Sequence, residues 1–205
     1  VIGLVVFGLL WVDLVLDGPI TRVDRWTADL VSPVTASPAT TVAQWLSRAG
    51  AWEVSGALAL GVAVALTLVR RSIEPVAVIS GGLVLLAVLG FGTKTLIGRT
   101  GPVDPHADLG WGGAFPSGHS AAALVIACLL AILLTESGHP RNVGLAWITS
   151  TLWWLLIGWS RVQINVHWVG DVLSGWALGA VVVGIVCTTR RLVRKRVSRR
   201  GNTDR

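Results

Sequence analysis

The sequence predicts an all-helical, polytopic membrane protein, and three observations predict it. Of 205 residues, 53% are hydrophobic and only 14% charged, against roughly 25% charged in an ordinary soluble domain. The apolar residues gather in six runs of 16 to 19 residues: Val1–Leu16, Ala51–Val69, Val76–Thr93, Ser120–Thr135, Val143–Trp159 and Val172–Thr189. The chain also carries 24 Gly and 11 Trp, which are frequent within membrane helices and at membrane boundaries, respectively. Packed as buried helices of a soluble protein, six such runs would leave too little polar sequence to cover them.

Each run, at about 1.5 Å per residue, falls a little short of a hydrocarbon core roughly 30 Å thick and lengthens into its flanks. Hydrocarbon offers the backbone no partner, so the runs must satisfy their own peptide groups as helices. The first begins at Val1 without Met, so residues are expected to precede it, and no targeting segment is recognisable. The expected organisation is one six-span domain over residues 1–189 followed by a basic tail over 190–205. Length allows one domain. Cys128 and Cys187 lie inside apolar runs and read as small buried hydrophobes; two cysteines make neither a disulfide framework nor a four-ligand zinc site.

The net charge of +6 comes largely from that tail, where eight of the 17 Lys/Arg sit in the last sixteen residues. A basic cluster directly after an apolar run reads as a cytoplasmic stop contacting anionic lipid rather than as a nucleic-acid surface. Counting back through six spans puts Arg70, Arg71, Arg141 and the tail inside, 11 Lys/Arg in all. Arg22, Arg25, Arg48, Lys94, Arg99 and Arg161 fall outside, which agrees with the positive-inside rule. Trp26, Trp45, Trp52, Trp111, Trp159 and Trp168 then crowd the outer boundary as an aromatic belt.

The outer loop from Asp17 to Gly50 carries two short amphipathic patterns. Ile20, Val23, Trp26 and Leu30 recur at helical spacing after Thr21, with Asp24 placed to complete a capping box. Ser37-Pro38 starts a second pattern bearing Val42, Trp45 and Leu46. Both are expected to lie on the outer surface, as plain interfacial packing or as a lid over lipid access.

Three polar clusters converge on that outer face. Residues 94–102 run from Lys94 through Arg99 to Pro102. Lys94 there either complements a helix C-terminus or holds an anion. Residues 116–119 are Pro-Ser-Gly-His: Pro116 stops an incoming helix, Ser117 is a good N-cap, and the amides of Gly118 and His119 open an anion-binding helix N-terminus. Taken alone, this is also an ordinary capped helix with a surface histidine. Residues 160–171 hold Ser160, Arg161, His167 and Asp171. His167 and Asp171, four apart, share a helix face, so the carboxylate can fix one ring nitrogen and leave the other free to attack. Arg161 offers a planar fork of donors. Alternatively, these are a boundary hydrogen bond and an arginine reaching to headgroups. Together the clusters supply the parts of phosphoryl transfer: a nucleophile, an acid, and cations for the equatorial oxygens. No carboxylate cluster suits a magnesium or calcium pair, so no metal or other cofactor is expected.

This constellation resembles the type-2 phosphatidic acid phosphatase family. The family pattern is Lys, six residues, Arg-Pro; then Pro-Ser-Gly-His; then Ser-Arg, five residues, His, three residues, Asp. The second and third motifs match fully, each expected by chance in about one chain in a thousand of this length from average usage. In the first, Lys94 and Pro102 stand in place, but Gly101 replaces the arginine and Arg99 lies two residues earlier. In an extended chain i and i+2 share a face, so Arg99 is expected to reach the same anion.

The resemblance implies six spans, an outward site and a metal-free hydrolysis of a lipid phosphate or diphosphate. In it His167 is the nucleophile, Asp171 its support and His119 the proton donor. Lys94, Arg99, Ser117, the Gly118 amide and Arg161 hold phosphate. Polyprenyl diphosphate (undecaprenyl diphosphate among them), phosphatidylglycerophosphate and phosphatidate are the substrates it suggests, with membrane lipids as the surroundings. Two alternatives remain: a phosphotransferase using the same phosphohistidine, and a non-catalytic lipid-headgroup binder or transporter. The related soluble haloperoxidases are disfavoured by the six spans.

Overall fold

In the computed structural model, described over residues 1–31, 37–102, 113–136 and 140–203, the chain is helical throughout, with no strand among the described residues. Among the described residues eight helices follow in order: α1 (Ile2–Val15), α2 (Pro19–Val31), α3 (Pro38–Ala49), α4 (Trp52–Arg70), α5 (Glu74–Ile97), α6 (Gly118–Thr135), α7 (Pro140–Gln163) and α8 (Val169–Thr203). Five of them, α4 to α8, are long and apolar enough to cross a bilayer; α1 and α2, bent by 73° at their junction, count as a sixth span only when taken together. Thus α1 covers the first expected run, but its 14 residues reach only about 21 Å at 1.5 Å per residue.

The central helix is α6. Ala121, Ala122, Val125, Ile126, Leu129 and Leu133 are buried against Ala59 and Ala63 of α4, Val78, Ile79 and Leu86 of α5, and Leu178 and Val182 of α8. The outward faces of the other helices stay apolar: Leu58, Leu68, Val84, Val88 and Leu152 are exposed, as expected of helices that meet lipid. Small residues bring α6 and α8 together. A Cβ on Gly175 would stand 2.5 Å from the Ser117 carbonyl oxygen, and one on Gly179 3.0 Å from that of Ala121. Two small residues four apart let helix backbones approach this closely.

The two expected surface helices form. Ser37 caps α3, accepting from the Thr40 amide at 3.1 Å, and Trp26, Trp45 and Trp52 are well exposed; Trp111 lies outside the described residues. The cap expected for α2 differs. The helix begins at Pro19, and Asp13 of α1 accepts from the amides of Ile20 and Thr21 at 3.3 and 3.0 Å. Asp24 is instead buried beneath the helix, 1% exposed. Nothing local marks that difference, because Asp24 finds its partners on α8 and after α5.

The expected tail is the continuation of α8 to Thr203. Its first basic residues turn inward: Arg190 and Arg194 pair with Glu74 and Glu136 at 2.5–2.8 Å, and Arg70 reaches Glu136 at 3.1 Å. This network ties the ends of α4, α5, α6 and α8 at one end of the bundle. At the opposite end α5 and α7 finish, α6 and α8 start, and the three motifs meet.

Candidate active site

The third motif is the turn between α7 and α8. The carbonyl of Arg161 accepts from the amides of Val166 and His167 at 3.2 and 3.3 Å, and Asn165 takes the left-handed φ of 56° that reverses the chain. Trp168 then precedes α8, and Asp171 Oδ2 accepts from its amide at 3.0 Å, the carboxylate half of a capping box. The same oxygen lies 3.4 Å from His167 Nδ1, with the imidazole 4% and the carboxylate 0% exposed. That spacing is longer than a good hydrogen bond, and Nδ1 is otherwise unpartnered. Facing Asp171 with Nδ1 leaves Nε2 as the available lone pair. Burial, first, and then the charges of Arg161 and Lys94 push the His167 imidazole below its ordinary range, while Asp171 pulls it back.

The second motif is docked onto the third by backbone. The Ser117 amide donates to the Asp171 carbonyl at 2.9 Å, which fixes the start of α6 against the start of α8. Ser117 is fully buried; its hydroxyl accepts from the Ser120 hydroxyl at 3.0 Å and lies 3.5 Å from the Ser120 amide, so it is the expected N-cap. His119, two residues on, lies within range of the charges of Arg161, His167 and Lys94. The first-turn amides beginning at Gly118 have no intrahelical acceptor, and Gly118 leaves open space up to the Lys94 side chain, 4.0 Å from where its Cβ would be.

Of the first motif, Lys94 arrives as expected and Arg99 does not. Lys94 is buried on the last turn of α5 and donates to the Gly113 carbonyl. Arg161 donates to Ser47 Oγ of α3, and its Nε is buried without a partner. Among the described residues neither cation forms an ion pair. Arg99 forms two. Its Nη1 meets Asp171 Oδ1 at 2.6 Å and its Nη2 meets Asp24 Oδ2 at 2.7 Å, with the guanidinium 5.1 Å above the Trp168 ring. Gly98 closes α5 in the left-handed conformation, φ 58°. Past that turn, Arg99 faces the back of Asp171.

Asp24, Ser47 and Ser120 are therefore part of this neighbourhood although no motif contains them. Asp24 also accepts from the Gly170 amide at 2.7 Å, in the first turn of α8. The only signal for it in the chain is an acid at a position that α2 buries. Among the described residues, no three His, Cys, Asp or Glu side chains are grouped to share a metal ion; the two buried acids are bridged by Arg99 instead.

Comparison with known proteins agrees with this arrangement. The family model of the PAP2 superfamily matches residues 56–195. The chain belongs to that superfamily. Over 67 residues it is 37% identical to an undecaprenyl-diphosphatase of Sulfolobus acidocaldarius, and over 78 residues 36% identical to phosphatidylglycerophosphatase B of Bacillus subtilis. These matches cover 33% and 36% of this chain and 29% and 37% of the relatives, about a third of their length. Among solved structures, the fold resembles a transmembrane PAP2-type phosphatidylglycerolphosphate phosphatase from Bacillus subtilis, with a TM-score of 0.68 at 21% identity over 93% of this chain and 96% of that one. It also resembles Aquifex aeolicus LpxE, with a TM-score of 0.59 at 20% identity over 81% and 95%. The architecture is thus that of a multi-pass PAP2 membrane protein.

Proposed function

We propose that this protein removes phosphate from a lipid phosphomonoester or diphosphate at the outer face of the membrane, through a phosphohistidine on His167, with its C-terminus in the cytoplasm. The observation that carries the proposal is a pair of cations, buried Lys94 and partly buried Arg161, which among the described residues meet a carbonyl and a hydroxyl and no carboxylate, within range of two histidines. A buried cation without a counter-charge is costly, and an incoming phosphate dianion supplies one. The names of the two relatives support a lipid diphosphate or phosphatidylglycerophosphate as substrate class.

In the first step His167 Nε2 forms a bond to phosphorus as the P–O bond to the lipid breaks. The leaving oxygen keeps the bonding electron pair and takes a proton from His119. Asp171 supports the positive imidazole that results. In the second step the oxygen of a water that gives a proton to His119 forms a bond to phosphorus as the P–N bond breaks, the bonding pair returns to His167 Nε2, and phosphate leaves. Lys94, Arg161, Ser117 and the Gly118 amide hold the phosphoryl oxygens; fixed donors of this kind stabilise charge that develops in the transition state. Arg99, committed to two carboxylates, is reassigned from phosphate contact to the support of Asp171.

The test is phosphate release from a panel of lipid phosphates, with chelator present, by wild type and His167→Ala. Turnover that survives chelator and vanishes in the variant supports the proposal; turnover that needs a divalent metal, or persists without His167, refutes it. A phosphorylated alcohol in place of free phosphate would identify the transferase alternative, and phosphate-lipid binding without any turnover the binder alternative.

A further inference from the structure

We propose that Asp24, on the amphipathic surface helix α2, is a positioning residue of the active site, acting through Arg99 on Asp171 and so on the nucleophile His167. The inference rests on the reaction proposed above and extends it to a part of the chain that lies outside the three motifs and outside the segment the family model matches.

The geometry is a continuous buried chain. Asp24 Oδ2 accepts from Arg99 Nη2 at 2.7 Å, Arg99 Nη1 donates to Asp171 Oδ1 at 2.6 Å, and Asp171 Oδ2 faces His167 Nδ1 at 3.4 Å. Side-chain exposures along it are 1%, 12%, 0% and 4%. Asp24 has a second hold on the same turn through Oδ1 and the Gly170 amide, one residue before Asp171. The guanidinium has little freedom: two carboxylates hold its two terminal nitrogens, and the Trp168 ring covers it, itself held by donating Nε1–H to the Thr100 carbonyl at 2.8 Å.

A fork bound at both ends is a geometric device. With Asp171 alone, Arg99 would hold the carboxylate by a single terminal nitrogen and could swing about that contact. Asp24 removes the swing and thereby sets the angle from which Oδ2 meets the imidazole. It also keeps Arg99 off the substrate, since a phosphate would have to compete with two carboxylates already in place. Among the described residues, the charged and titratable groups around the Asp171–His167 pair are Lys94 from the end of α5, Arg99 just after it, Arg161 from α7, His119 from α6, and Asp24 from α2.

The experiment compares wild type, Asp24→Asn, Arg99→Gln and the double variant, solubilised and checked for folding by thermal unfolding, with inhibition by inorganic phosphate measured alongside lipid-phosphate turnover. Asparagine keeps an oxygen for the Gly170 amide but gives up the ion pair to Arg99. Asp24→Asn is expected to lower kcat by about tenfold or more, in line with the sensitivity of catalysis to sub-ångström misplacement. KM and the inhibition constant for phosphate should stay within about twofold, and the double variant should turn over no more slowly than Arg99→Gln, since residues acting in one chain are non-additive. Unchanged kcat in Asp24→Asn, or multiplicative losses in the double variant, overturns the inference. Phosphate inhibition weakened along with kcat in Arg99→Gln overturns it too, by making Arg99 a phosphate ligand. If Arg99→Gln does not fold, Arg99→Lys replaces it, keeping the cation and losing the fork, with the same criteria. Wild type without turnover, or activity that survives His167→Ala, instead overturns the underlying reaction, and is told apart from the other failures by that control.

Discussion

Substituting Gly175 by alanine would plant a methyl group 2.5 Å from the Ser117 carbonyl oxygen, 3.2 Å from Ser120 Cβ and 3.3 Å from the Ala121 amide nitrogen. Two of the three obstacles are backbone, so no side chain can turn aside to relieve them. Bringing the nearest contact out to an ordinary 3.4 Å requires α6 and α8 to separate locally by about 0.9 Å. Overpacking of this sort costs about 1–3 kcal/mol. The same displacement falls on the 2.9 Å bond from the Ser117 amide to the Asp171 carbonyl, which would lengthen beyond hydrogen-bonding reach. That bond is what registers His119 and the α6 N-terminus against His167.

Activity should therefore fall further than stability suggests. A misplacement near 1 Å costs about 10²-fold in rate, so kcat for phosphate release should drop about 10- to 100-fold while the folded protein still accumulates. Gly179→Ala is the internal comparison. Its Cβ meets the Ala121 carbonyl at 3.0 Å, one turn deeper, so it should cost similar thermal stability and less kcat. Gly61→Ala, with open space around its Cβ, should change neither adversely. Steady-state phosphate release together with thermal unfolding in detergent decides the matter. Gly175→Ala with wild-type kcat would refute the claim that the α6–α8 approach sets the catalytic register.

Removing the second fork of Arg161 by Arg161→Lys should lower kcat/KM by about 10²-fold, the scale of losing one preorganised donor, as read by initial rates on a lipid phosphate. Arg99→Ala leaves two buried carboxylates without their shared cation and should destabilise the protein by about 3–5 kcal/mol, measured by thermal or denaturant unfolding. Because burial, Arg161 and Lys94 hold the His167 imidazole below its ordinary pKa, the proposed nucleophile should stay neutral on acidification past about 6.5; the acid limb of kcat/KM should lie below that pH once the substrate's own phosphate titration is measured by phosphorus NMR, and a midpoint at or above 6.5 would count against this. At the far end of the bundle, Glu74→Gln loosens the pairs to Arg190 and Arg194, should cost about 1 kcal/mol because Arg194 is half exposed, and should leave kcat unchanged.

What the chain reveals in advance follows the range of the interaction. The six apolar runs, the Ser37 and Ser117 caps and the i, i+4 pair of His167 and Asp171 are set by neighbours in sequence, and each appears in the structure. Asp24 shows the opposite case. Its spacing from Thr21 fits a capping box, yet Asp13 of the preceding helix caps α2 instead, and Asp24 crosses to Arg99 and Gly170, 75 and 146 residues away. Glu74 and Glu136 were equally silent, because their partners lie on a stretch of α8 that reads as a solvated basic tail until the helix continues through it. Arg99 is a similar case: its partners Asp24 and Asp171 lie 75 and 72 residues away, which a spacing argument does not reach.

The two ends of the bundle treat positive charge differently, and the contrast bears on the proposed site. At the distal end Arg70, Arg190 and Arg194 share Glu74 and Glu136, and these pairs hold four helices in register. At the motif end, among the described residues, Arg99 is matched by two buried acids at once, while Lys94 and Arg161 form no ion pair. That pairing withdraws the acids from the pocket as well as the guanidinium, and so leaves Lys94 and Arg161 facing neutral oxygens. Had Asp24 or Asp171 paired with Lys94 or Arg161 instead, the pocket would be neutral before substrate arrived and a phosphate would have to break an ion pair to bind. The positive potential needed for a lipid phosphate thus depends on where the carboxylates are sequestered as much as on where the cations stand.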